Sequence, residues 1–249
     1  MKIYFLTGSQ HLYGPETLAQ VAENSKKVVA ALNDSGAIPA KIVWQPTLTD
    51  SDLVYQTIRR AEADEECAGV ITWMHTFSPA KMWIRGLSIL RKPLCHLHTQ
   101  FHRDIPYADI DMDYMNLHQT AHGGREFGHM CAKLGVRRRV IVGHWARTQV
   151  QSEVGGWVRV ALGIASERSM KVARFGDNMR HVAVTDGDKV SAHMTFGYQV
   201  DGFGVGDLVE RVNAVTNGRI SSLVEEYEAT YDLAANVQAK GDRRSHLEY

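Results

Sequence analysis

The segment Asn116-Leu117-His118-Gln119-Thr120-Ala121-His122-Gly123-Gly124-Arg125-Glu126-Phe127-Gly128-His129 is the densest group of chemistry-bearing side chains in the sequence. On a helix, His118, His122 and Glu126 step by four and share one face, with His129 close by. Two imidazoles and a carboxylate form a ligand set suited to Zn, Fe or Mn. Two features favour a structural or substrate-facing role instead, so no metal ligand is assigned. The pair Gly123-Gly124 weakens a helix, and 12 histidines in 249 residues make chance pairings common.

Three other segments carry polar groups in a pattern that could meet a ligand. The run Thr7-Gly8-Ser9-Gln10-His11-Leu12-Tyr13-Gly14 follows a short apolar stretch. It lacks the GxGxxG spacing that a pyrophosphate needs, whereas Gln10 and Tyr13 offer an amide and a phenol to polyol hydroxyls. The run Met74-His75-Thr76-Phe77-Ser78 exposes a ring and a hydroxyl, and Ser78 before Pro79 can serve equally as a helix cap or a ligand contact. In Cys95-His96-Leu97-His98-Thr99-Gln100-Phe101-His102 the alternating histidines would share one face of a strand. Packing at a sheet edge or hydrogen bonding between subunits is the reading for them. Asp109, Asp111 and Asp113 also alternate, and Asp113 is expected to cap a helix. The sequence has no GxSxG elbow, phosphate loop or HExxH motif.

These segments need a scaffold, and the chain supplies one by alternating short apolar runs with amphipathic stretches, the pattern of a parallel sheet covered by helices. Strands are predicted at Lys2–Leu6, Lys41–Trp44, Gly69–Trp73, Pro93–Leu97 and Val140–Gly143. A helix is predicted from Pro15 to a stop at Gly36, with Leu18, Val21, Ser25, Val29 and Leu32 at helical spacing. Others are expected from about Asp52, from Pro79 to Leu90, and near Val150–Gly163. The fold class is α/β: an open parallel, flavodoxin-like or Rossmann-like sheet with helices on both faces. A second α/β domain is expected to start at residue 169, dividing the chain into 1–168 and an incomplete 169–249. In it Val172–Phe175 reads as a strand, Thr185–Asp188 as a turn, and Gly202, Gly204 and Gly206 as a glycine-spaced loop. Helices follow near Asp207–Val215 and Ser222–Tyr227, and Arg243–Tyr249 reads as the opening turns of another.

Bulk properties narrow the partners. Lys plus Arg equals Asp plus Glu at 28 each, so no global field holds a polyanion or an anionic membrane. The basic run Arg137-Arg138-Arg139 precedes an apolar stretch and reads as a solvated lead-in to a strand rather than a phosphate site. Cys67, Cys95 and Cys131 form no CxxC pair and suit a reducing compartment. No run approaches the roughly 18 apolar residues of a membrane span. A cytoplasmic location is the expectation.

Four runs, Gly8 to Leu18, His75 to Trp83, Asn116 to Gly128 and Arg174 to Arg180, closely resemble the L-arabinose isomerase family, in order and along essentially the whole chain. The resemblance implies an aldose–ketose isomerase of L-arabinose catabolism that converts L-arabinose to L-ribulose, and D-galactose to D-tagatose less well, with a divalent metal, usually manganese. It implies homo-oligomeric assembly as a hexamer, an amino-terminal and a central α/β domain, a carboxyl-terminal β-barrel-like domain, and an active site between neighbouring subunits. In that chemistry the metal bridges O1 and O2 of the sugar while two glutamates move a proton between C2 and C1 through an ene-diol. The family's glutamates and its two histidine ligands belong to the central and carboxyl-terminal domains, and no stretch of this sequence matches their motifs. No catalytic residue is therefore assigned. Motif matching implies that Gln10, Leu12, Tyr13, Phe77, Gln119 and His122 line the sugar, with Met179 near it. Two functions follow: an isomerase subunit, or a non-catalytic sugar-binding or assembly module. Were the chain active alone, His118, His122, Glu126 and His129 would be the first candidates for a new site. Apolar surface on an unfinished second domain predicts self-association.

Overall fold

The computed structural model describes residues 1–234. They fall into two compact units, Met1–Arg168 and a second from Ser169 onward, and each is treated by itself.

The first unit is built on five parallel strands, β1 (Lys2–Gly8), β2 (Lys41–Trp44), β3 (Cys67–Met74), β4 (Leu94–His98) and β5 (Arg139–Val142), in the order β2-β1-β3-β4-β5. This is the flavodoxin-like order, with its switch point between β1 and β3. Every residue of β3 is buried, as a central parallel strand covered on both faces must be. Composition underestimates β1 and β3 at their carboxyl ends. Gly8 is a weak strand former, yet Thr7 and Gly8 pair with Trp73 and Met74 in the middle of the sheet, and that pairing carries β1 beyond its apolar run.

Helices α1 (Gly14–Asp34) and α6 (Thr148–Ser169) cover one face, where Val28 and Val154 join Phe5, Ile71, Leu97 and Ile141 in a single cluster. Helices α2 (Ser51–Ala63), α3 (Ile84–Leu87) and α5 (Thr120–Lys133) cover the other, where Val54, Leu87 and Phe127 pack with Leu6, Val70 and Met74. The start of α2 is fixed by Asp50, whose carboxylate accepts the backbone N–H groups of Asp52 and Leu53 at 2.9 and 2.8 Å.

The single helix predicted over residues 79–90 is instead a 3-10 turn, Ala80–Trp83, followed by the one-turn α3. The Trp83 indole donates to the Ser78 hydroxyl at 3.0 Å, drawing the first turn tight. Gly86 lies so close to α2 that a β-carbon there would stand 2.7 Å from Ile58. Ser78 is thus an acceptor for tryptophan rather than the cap, which is Pro79. Likewise Asp111, not Asp113, caps α4 (Met112–Leu117), accepting the Tyr114 N–H at 2.7 Å. Strand β4 lies inside the sheet between β3 and β5, so His96 and His98 are not at a sheet edge.

In the second unit β6 (Lys171–Phe175) and β7 (Gln199–Phe203) pair in parallel, joined through α7 (Lys189–Phe196) and followed by α8 (Val205–Asn213) and α9 (Asn217–Thr230). The glycine-spaced loop expected around 202–206 is instead the end of β7 and the start of α8, with Gly204 as the cap between them. Gly202 pairs with Arg174, and the flanking Val200 and Phe203 supply the β preference that the glycine lacks. Helix α7 is not among the elements predicted from sequence, and Asp188 opens it by accepting the Ser191 N–H at 2.8 Å. The helix expected at 243–249 lies outside the described residues. No helix among the described residues is long and apolar enough to cross a membrane.

Candidate functional site

Ligands of doubly wound sheets gather at the loops that leave the carboxyl ends of the strands. Here the loops after β1 and β3 are locked together below the surface. The Thr76 hydroxyl donates to the Ser9 hydroxyl at 2.8 Å, and both residues are fully buried. Above that bond, the Gln10 side-chain amide donates to the Phe77 carbonyl at 3.2 Å. The Phe77 ring stacks on His122, centroid to centroid 4.4 Å with planes 23° apart. Gln10, Phe77 and His122 thus form one row drawn from three segments.

His122 reaches this row because the first turn of α5 lies directly on the third loop. A β-carbon at Gly123 would sit 3.0 Å from the Thr76 carbonyl oxygen, and one at Gly124 would sit 2.6 Å from His98 Nδ1. The two glycines, expected to weaken a helix, are what allow this one to pack. The intrinsic cost of about 1 kcal/mol each is offset by the close contact they permit.

Two adjoining clefts open beside the row and share His102, Tyr114 and His118. One, of about 650 Å³, is lined by Gln119, His122 and Arg125 together with Ile105 and Ile110. The other, of about 540 Å³, is lined by Leu12, Tyr13, Thr17 and Asn116. Gln119 is steadied by donating to the Asn116 side-chain oxygen at 3.0 Å, which leaves its own carbonyl oxygen open to a ligand. Leu12 is 84% exposed and reaches out from its 3-10 turn.

Beneath the clefts lies an imidazole pair whose joint role the sequence did not reveal. His75 is fully buried, stacked on Trp73 at 4.4 Å, and its Nε2 lies 2.9 Å from the Asn24 side-chain nitrogen. His118 is 5.2 Å away and borders both clefts. Burial, and secondarily the neighbouring His118, pushes His75 down to about 3. Burial with nearby His102 pushes His118 down to about 4. Both are therefore neutral near pH 7 and act as hydrogen-bonding groups, not cations. The signal that could have found the pair was Asn24, a buried polar residue within the apolar stripe of α1.

The set His118, His122, Glu126 and His129 does not assemble into a metal site. His118 terminates α4 and lies outside α5. Glu126 is already engaged, accepting the Ala80 N–H at 2.9 Å. Among the described residues, no group of three or more His, Cys, Asp or Glu could hold a metal ion. Of the alternating histidines, His96 and His98 share one face of β4, their ring centroids 5.8 Å apart and both facing Gly124. His96 is buried against Phe127 at 5.1 Å, with its Nδ1 3.2 Å from the Thr72 hydroxyl.

Met179 belongs to the second unit, in the loop leaving the carboxyl end of β6, and is 66% exposed. Arg174 shapes that loop. Its guanidinium bonds the Asn178 side chain and lies 3.6 Å from Asp177, while Asn178 donates to Asp186 at 2.6 Å.

The chain is similar to known proteins of the L-arabinose isomerase family. Residues 1–169 match the model of the L-arabinose isomerase N-terminal domain, and residues 171–249 match that of the L-arabinose isomerase central domain. The chain is 52% identical over 246 residues to an L-arabinose isomerase of Koribacter versatilis, covering 99% of this chain and 49% of that protein. It is 51% identical to that of Herpetosiphon aurantiacus with the same coverage. To that of Clavibacter sepedonicus it is 52% identical over 248 residues, covering 100% of this chain and 49% of the relative. The chain thus spans about half the length of the curated relatives it matches.

Proposed function

This chain belongs to the L-arabinose isomerase family, and from that premise we propose that it supplies the sugar-lining part of an aldose–ketose isomerase site acting on L-arabinose. The observation that carries the reading is the row Gln10, Phe77 and His122 at the carboxyl edge of the sheet. The stacked Phe77 and His122 rings offer an apolar face to the C–H side of a pentose. Each of Gln10 and Gln119 spends an amide N–H on a protein partner, which fixes its carbonyl oxygen as an acceptor for sugar hydroxyls. Tyr13 adds a phenol at the rim, and neutral His75 and His118 keep the floor polar without charge. D-galactose, which shares the hydroxyl arrangement at the reacting end, is the second substrate in this reading.

The described residues do not fit a manganese site, since no three-ligand group exists among them, and no proton-transfer step is assigned to them. Manganese, assembly into a homo-oligomer and a role in arabinose catabolism are parts of the proposal that rest on family membership. The alternative is a module that binds sugar without turning it over.

The test uses this chain purified from a host without its own arabinose isomerase. Sugar binding is measured by titration with L-arabinose, and ketose formation is measured with and without manganese. Binding that falls at least about tenfold in Phe77→Ala, as the loss of a stacking face predicts, supports the lining role. Equal binding in the unsubstituted chain and the variant removes it. Metal-dependent ketose formation would decide for a complete isomerase over the binding module.

A further inference from the structure

The opposite, amino-terminal edge of the same sheet holds a second concavity. A groove of about 680 Å³ runs under the starts of β4 and β5, between the end of α5 and the outer part of α6. Its floor is apolar, made by Leu90, Leu94, Leu134, Val136, Val160 and Ile164. Its lining carries six cations: Arg91 and Lys92 ahead of β4, Arg137, Arg138 and Arg139 ahead of β5, and Arg168 in the last turn of α6. No carboxylate is among the described residues that line it. In a chain whose formal charge is +0, this is a local concentration of one sign that the three consecutive arginines alone did not disclose.

The protein uses some of these cations itself. Lys92 donates to the Ala61 and Asp64 carbonyls at 2.6 and 2.7 Å, closing the end of α2. Arg139 lies 3.8 Å from Glu153, and Arg168 donates to the Arg91 carbonyl at 3.2 Å. Arg91 and Arg137 are exposed and have no ion-pair partner among the described residues. Arg138 is half-buried, and its Nε is enclosed without a hydrogen-bond partner. Like charges brought together by three separate segments repel one another, and an anion between them relieves that repulsion.

We propose that this groove is a binding site for a small organic anion with an apolar body, such as an acyl or aryl carboxylate, sulfonate or phosphate. The anionic group sits between Arg91 and Arg137, and the apolar body lies along the floor toward Val160 and Ile164. Inorganic phosphate would leave that floor wet, and a sugar would place hydroxyls against carbon without partners.

The probe is 8-anilinonaphthalene-1-sulfonate, followed by its fluorescence on the full chain at constant ionic strength. Three proteins are compared: the unsubstituted chain, the double variant Arg91→Ser/Arg137→Ser, and Val160→Glu, which puts a carboxylate into the groove at a position already 58% exposed. The dye also finds other exposed apolar surface, so the readout is the component that the variants remove. The expected result is a site whose affinity drops at least about tenfold in both variants, the scale of losing charge-assisted contacts. Sodium octanoate should displace the dye from that site while sodium phosphate does not. Identical isotherms in all three proteins overturn the proposal, as does displacement by phosphate as effective as that by octanoate.

Discussion

At the scale of single residues, the most consequential feature is the burial of imidazoles that the fold keeps neutral. His75 and His96 are both pushed from 6.5 down to about 3, first of all by burial. In the unfolded chain each titrates near 6.5, so below that value the unfolded state binds more protons. Stability is full above about pH 6.5 and falls as the pH drops toward 3, by up to about 1.4 kcal/mol per pH unit for each group. Urea midpoints at several pH values from 7.5 to 4.5 should show this slope. His96→Gln, which keeps a hydrogen-bonding group near Thr72, should reduce it by one proton, and an unchanged slope would rule out His96 as a contributor. The sequence displayed these histidines plainly but not their separate fates. Spacing grouped His118 with His122 and Glu126, whereas a helix boundary at Gln119 placed His118 beside His75 and left Glu126 to cap a neighbouring turn.

At the scale of elements, glycines show how closely the helices approach the sheet and its loops. In α6, a β-carbon at Gly155 would stand 2.2 Å from the Ala37 carbonyl oxygen, a backbone atom that cannot step aside. At Gly163 in the same helix nothing lies within 4 Å. Gly163→Ala should therefore stabilise by about 0.5–1 kcal/mol through helix propensity alone. Gly155→Ala should destabilise by about 1–3 kcal/mol, as overpacking against a fixed atom does. Thermal unfolding of the two variants tests the contrast, and shifts of the same sign would refute the packing account. From sequence both positions are simply glycines in an amphipathic run, and only the neighbour across the interface separates them.

At the scale of the whole molecule, the two units differ in how much they bury. The first has apolar clusters on both sheet faces. In the second, Val224 is the one buried hydrophobic residue among those described. Helix α8 presents Val205, Leu208, Val209 and Val212, at helical spacing and between 38% and 61% exposed. With a formal charge of +0 there is little net repulsion between copies. The chain is expected to self-associate, with an average mass in sedimentation equilibrium that rises with concentration. Val209→Asp together with Val212→Asp should flatten that rise, and a concentration-independent monomer would contradict the expectation.

What the sequence determined by itself was the α/β class, six of the seven described strands to within two residues at either end, and the family. Each rests on local information: apolar runs of strand length, amphipathic period, and long ordered motifs. Strand β7 escaped because a glycine interrupts a weak apolar run, and α7 because its stripe is faint. The tertiary structure decided which polar groups meet. Gln10, Phe77 and His122 come from segments tens of residues apart, joined only because parallel strands deliver their loops to one edge. The same geometry gathers Arg91, Arg137 and Arg168 at the other edge. Side-chain chemistry is written locally, but proximity between distant segments is set by strand order and by the few places where glycine lets backbones close.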